Sequence, residues 1–107
     1  MTYLYFQVSD HWRFEIPAGP PRPLVLEVET PTPTPMALDY DSHDRRGVLQ
    51  GAYTWVEAEK VEALAGGRHR HRFRLLRPRL ANRQNGGADL RLVLRRGDAA
   101  ILRIRLH

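Results

Sequence analysis

The alternation in HRHRFRL (His69 to Leu75) and AILRIRL (Ala100 to Leu106) constrains this chain more than any other feature. Side chains two apart on an extended strand share a face. Arg70, Arg72 and Arg74 therefore line one side of the first segment, and His69, His71, Phe73 and Leu75 the other. Arg103 and Arg105 oppose Leu102, Ile104 and Leu106 in the same way. One charged and one apolar face is the pattern of an antiparallel sheet that is wet on one side. Five more segments are β-prone or alternating: YLYFQV (3–8), LVLEVE (24–29), MALDY (36–40), AYTWVEA (52–58) and DLRLVL (89–94). Pro- and Gly-rich stretches separate them: IPAGPPRP, TPTPTP, DSHDRRG, AGG, NGG and RRGD. Proline cannot donate to a ladder, so these stretches delimit strands. EAEKVEALAGG has partial helical character, but β-branched Val61 and the closing Gly66-Gly67 favour a strand running into a turn over a short helix.

Seven strands without a convincing amphipathic helix cannot bury their apolar faces in one sheet, so the expected fold is all-β, an antiparallel β-sandwich. Phe73, Leu92 and Ile104 are expected in its core. The chain has 107 residues, no internal repeat, and in TPTPTP too short a stretch for an interdomain linker, so residues 1–107 are read as one domain.

Cysteine is absent, which removes disulfides, thiol nucleophiles and thiolate metal sites and leaves the redox compartment open. The N-terminal MTYLYFQVSD has no basic segment followed by an apolar run, and no window approaches about 18 apolar residues, so neither a signal peptide nor membrane insertion is expected in this chain. Net charge is +5 and unevenly spread: residues 1–62 carry ten acids and five bases, residues 63–107 two acids and twelve bases. Such asymmetry can mark a polyanion-binding face. Sixteen of the seventeen bases are arginine, however, and arginine alternating along strands also describes a solvated sheet face. The second reading is preferred, and no nucleic-acid partner is expected.

Chemistry concentrates in RLANRQNGGADLRLVL (Arg79 to Leu94). A sugar is held by polar side chains on its hydroxyls and an aromatic ring under its C–H groups. Asn82, Arg83, Gln84 and Asn85 supply the polar set, although NGG with its flanking amides also reads as a turn whose asparagines cap backbone groups. Both roles can coexist, with Asn82 holding the turn and the longer Arg83 reaching a ligand. Tyr40, Tyr53, Trp55 and Trp12 are the aromatic candidates. Tyr53 and Trp55 share a face by period two, which suits two stacked sugar contacts or core-filling rings, with core the better reading for one of them, while Trp12 follows SDH in a loop and is the more exposed ring.

Asp39, Asp41 and Asp44 in DYDSHDRRG only loosely resemble a calcium loop, lacking its regular oxygen spacing, central glycine and terminal glutamate. His69 and His71 share a strand face, but spacing fixes no third ligand, so no metal site is assigned. Glu57 and Glu59 sit on one strand face, which alone does not make an acid–base pair. With no nucleophile elbow, phosphate loop or metal motif, the chain is not read as an enzyme, and no cofactor is implied.

The segments YLYFQVSDHWRF, LVLEVE, MALDYDSHD, GAYTWVEAEKV, GRHRHRFRLLRPRLANRQNGGADLRLVL and GDAAILRIRL together resemble jelly-roll, galactose-binding-like accessory domains of the carbohydrate-binding-module type found in large secreted bacterial proteins. The likeness spans nearly the whole chain and is most specific at Ala81 to Asp89. It departs where Gln7 and Ser9 replace acids of the family pattern, which weakens any cation at that edge, and where His69 replaces an aromatic residue. The resemblance implies a jelly-roll sandwich acting as a non-catalytic module that binds polysaccharide or glycan, extracellular if its parent protein is secreted. It transfers no fixed ligand set. Trp12, Tyr40, Tyr53, Asn82, Arg83 and Asn85 are the residues expected to bind. The alternative is an assembly module whose arginine-rich faces meet acidic faces of other protein domains.

Overall fold

The computed structural model describes residues 1–13, 15–18, 23–46, 48–95 and 100–107. Phe14, residues 19–22 of the first expected separator, Gly47, residues 96–98 of the last separator and Ala99 lie outside that description. The described chain forms eight strands: β1 (Thr2–Phe6), β2 (Leu24–Thr30), β3 (Met36–Tyr40), β4 (Thr54–Glu57), β5 (Lys60–Ala63), β6 (His69–Leu75), β7 (Leu90–Leu94) and β8 (Arg103–Leu106). Each of the seven expected segments yields one, with β1 starting one residue before its segment and β2 ending one residue after, and β5 comes from EAEKVEALAGG, where the strand reading holds.

The strands make two four-stranded antiparallel sheets, ordered β1-β7-β3-β4 and β5-β6-β2-β8. Leu38, Tyr40, Leu90, Leu92 and Leu94 of the first sheet pack against Leu24, Leu26, Val28, Phe73 and Leu75 of the second, so the architecture is a β-sandwich. Phe73 and Leu92 are fully buried, whereas Ile104 is only partly buried against the core because β8 is an edge strand. Leu102, expected on the apolar face, is exposed, since β8 begins one residue later.

The chain changes sheets between β4 and β5. Glu57 ends on the first sheet beside Arg95, while Glu59 already donates its N–H to Arg72 O and pairs with Arg72 and Arg74 on the second. The expectation that Glu57 and Glu59 share one face is therefore corrected: a strand that bends from sheet to sheet does not carry its alternation through the corner.

Cross-strand register sets the outer faces. On the second sheet, Glu27 and Glu29 of β2 stand opposite Arg72 and Arg70 of β6 and Arg105 and Arg103 of β8. On the first, one row runs Tyr5, Arg91, Asp39, Trp55 across all four strands.

Candidate functional site

The nine residues from Ala81 to Asp89 mostly build the fold. Asp89 is fully buried; its Oδ2 accepts the Val8 N–H at 2.9 Å and its Oδ1 the Asn82 N–H at 2.7 Å. Burial pushes this carboxyl above its ordinary range, against the pull of the two amides. Asp41, also fully buried, accepts the Ala81 N–H at 2.7 Å. Gln84 turns its amide inward to the carbonyls of Asp39 and Ala52. Left-handed backbone at Leu80, Asn82, Gly86 and Gly87 shapes the loop.

Arg83 belongs to this architecture, which corrects its expected role as the reaching contact. Its Nε donates to Asp41 Oδ1 at 2.8 Å and its Nη2 to the carbonyls of Ser42 and Gln50, leaving the side chain 23% exposed. A buried carboxylate sets the direction of a long cation more strongly than solvent does, because an unpaired charge there is costly. Asn82 holds the turn through its backbone, as expected, and extends Nδ2 to both oxygens of Asp10.

The Arg83 contacts secure a second loop. Leu49, Gln50 and Gly51 have φ of 49°, 56° and 94°, three left-handed residues in succession. At each of the two non-glycine positions that backbone costs about 1–2 kcal/mol. Gly51 is required, since a Cβ there would meet Asp44 O at 2.5 Å and Ser42 O at 2.7 Å. The loop leaves Val48 and Leu49 exposed.

Beside it the outer face of the first sheet forms an open concavity of about 450 Å³ lined by Asp39, Val48, Tyr53, Trp55, Asn85 and Arg91. Arg91 organises its floor. Nε and Nη2 donate to Asp39 Oδ2 at 2.9 and 2.6 Å, and Nη1 donates to the Tyr5 hydroxyl at 3.3 Å. The guanidinium carbon lies 4.6 Å from the centre of the Tyr3 ring and 4.4 Å from that of Tyr53, close enough for cation–π attraction. Asn85 ties the rim together, its N–H on the Tyr53 hydroxyl at 2.8 Å and its Nδ2 on the Tyr5 hydroxyl at 3.4 Å. Trp55 stands 50% exposed at the edge, with its indole N–H donated to Glu57 Oε1 at 3.3 Å. Glu57 is held in turn by Arg95 at 3.0 Å.

Of the six residues expected to bind, the concavity contains Tyr53 and Asn85. Trp12 is an exposed ring in a turn, covered on one side by the Arg13 guanidinium at 4.6 Å, and is not part of the lining. Tyr40 is corrected to a core residue: only 5% exposed, its ring packs between the sheets and its hydroxyl accepts the Arg77 N–H. Asp39 and Arg91 were missed, and Trp55, weighed as an aromatic candidate, was left out of the expected set. Asp39 and Arg91 each interrupt an apolar strand, MALDY and LRLVL, and that shared oddity was the available signal.

The aspartates of DYDSHDRRG do not converge, since Asp39, Asp41 and Asp44 are each bound by an arginine, Arg91, Arg83 and Arg46. His71 is buried with Nε2 on Thr30 Oγ1, and His69 bonds Gly67 O. Among the described residues no three His, Asp or Glu side chains are placed to share a cation, and no helix is long and apolar enough to cross a membrane. Comparison with family models, curated proteins and solved structures gives no match.

Proposed function

We propose that this domain is a non-catalytic carbohydrate-binding module that holds a glycan on the concave outer face of the β1-β7-β3-β4 sheet. The observation that carries the reading is Trp55, a half-exposed indole bonded to Glu57 at the edge of a polar floor. A sugar needs an aromatic surface under its C–H groups and hydrogen-bonding groups around its hydroxyls. Trp55, Val48 and Tyr53 offer the first, and Asp39, Asn85 and the tyrosine hydroxyls the second. Because the polar groups are locked to one another before a ligand arrives, little ordering cost remains at binding.

The resemblance to jelly-roll, galactose-binding-like accessory domains supports the same reading and is in keeping with a secreted or surface-attached parent protein. Binding would move from the loop edge expected from sequence to the sheet face beside it.

A second reading, an assembly module for other protein domains, is favoured by the outer face of the β5-β6-β2-β8 sheet. There Lys60, Arg68, Arg70, Arg72, Arg74, Arg103 and Arg105 outnumber Glu27, Glu29, Glu59 and Glu62. A glycan array on the purified chain, run with light scattering, separates the two. A monomer that binds glycan and loses binding on Trp55→Ala supports the first reading, and a ligand-silent oligomer supports the second.

A further inference from the structure

We infer that the concave face selects uncharged glycans and excludes those bearing uronate or sulfate groups, an inference that rests on the carbohydrate-binding reading of this face. The argument is one of hydrogen-bond polarity. Among the described residues Arg91 is the one base in the lining, and it is already committed: both sides of its fork are engaged, by Asp39 and Tyr5, and tyrosine rings lie against it. Asp39 cancels its charge, and Arg95 cancels that of Glu57 beside Trp55.

The groups left over are mixed in sense. Both bonds from Arg91 fall on Asp39 Oδ2, so Oδ1 has no partner among the described residues and remains an acceptor on a nearly buried carboxylate in the floor. Asn85 Oδ1 likewise has no partner among the described residues. The Tyr5 and Tyr53 hydroxyl oxygens already accept bonds, from Arg91 and Asn85, so each phenolic proton is left to donate to a ligand.

A sugar hydroxyl donates and accepts at once, so neighbouring hydroxyls can give to Asp39 Oδ1 and take from a tyrosine. A carboxylate or sulfate only accepts. It would leave Asp39 Oδ1 unmatched, setting acceptor against acceptor at that oxygen. Tyr5 and Trp55 stand at the two ends of one cross-strand row, three strand spacings or about 14 Å apart. That span favours an oligosaccharide over a single sugar.

The test is isothermal titration calorimetry on the intact chain with neutral polymers (a soluble β-glucan, a galactomannan, a xylan) and acidic ones (polygalacturonate, chondroitin sulfate). At least one neutral polymer should bind with little dependence on salt, and any binding of the acidic ones should fade with salt and be unchanged by Trp55→Ala. Trp55→Ala should abolish the neutral binding, and Tyr5→Phe should weaken it about tenfold, the size of one lost hydrogen bond. An acidic polymer that binds as tightly and loses binding on Trp55→Ala overturns the selectivity and leaves the glycan reading standing. If no polymer of either kind binds, the glycan reading fails and the inference with it. Neutral binding that survives both substitutions puts the ligand elsewhere and overturns the inference.

Discussion

Arginine meets carboxylate on the outer faces of both sheets, and two of these pairs, one from each sheet, differ sharply in burial. On the first sheet, Arg91 reaches Asp39 at 2.6 Å, with the aspartate side chain 4% exposed. On the second, Arg70 reaches Glu62 at 3.3 Å, with both side chains more than a third exposed. A pair open to water gains little, because solvent screens the attraction and two long side chains lose freedom. In the sheltered pair each partner answers for the other's desolvation, so removing one leaves an uncompensated charge. Except at Glu29, which lies 8% exposed among Arg68, Arg70 and Arg103, the second sheet wears a largely solvated charge ladder. The first uses the same chemistry to hold rings and carboxylate oxygens in fixed positions, as the proposed binding face requires.

The contrast is broken or sharpened first by substitutions at the sheltered pairs. Asp39→Ala, and equally Arg83→Ala beside buried Asp41, should each cost about 3 kcal/mol, lowering the melting temperature of a domain this size by roughly 10 °C or more. A loss no larger than that of a surface pair would erase the difference between the faces. The next largest effect is expected from a double-mutant cycle on Arg70 and Glu62, with a coupling of about 0.2–1 kcal/mol that shrinks as salt is added.

Trp55→Ala should change stability by less than about 0.5 kcal/mol, because its ring is half exposed and outside the core cluster. A larger loss would make Trp55 a packing residue.

The smallest effect concerns pH. Burial, with the neighbouring charge of His69, depresses the His71 pKa in the folded chain. Below the ordinary histidine value of about 6.5, the unfolded chain therefore binds a proton that the folded chain refuses. Stability should fall as pH drops from there toward the folded value. Thermal melts between neutral and mildly acidic pH should show that decline, and His71→Gln should flatten it. An equal decline in the variant would assign the effect to other groups.

The strands were legible because period two is a local signal, and MALDY and HRHRFRL emerge with the bounds read from sequence. The corner between Glu57 and Lys60 was not, since bending from one sheet to the other is decided by what each half pairs with. The site divides in the same way. Tyr53 and Asn85 were visible as an aromatic and an amide near turns. The partnership of Asp39 with Arg91 depends on β3 lying beside β7, which no local pattern encodes. Tyr40 was misplaced because a ring suits core and binding face alike, and one step of alternation decides between them. Arg83 was misplaced because Asp41, far away in sequence, dictates where its guanidinium goes.

Residue-resolved amide and indole chemical shifts during titration with a neutral oligosaccharide test the central claim most directly. Perturbations should cluster at Tyr53, Trp55, Asn85 and Arg91, with the Trp55 indole N–H among the largest. Shifts concentrated on the arginine rows of the second sheet, or at Trp12 and Asn82, would contradict the assignment of the concave face as the ligand surface.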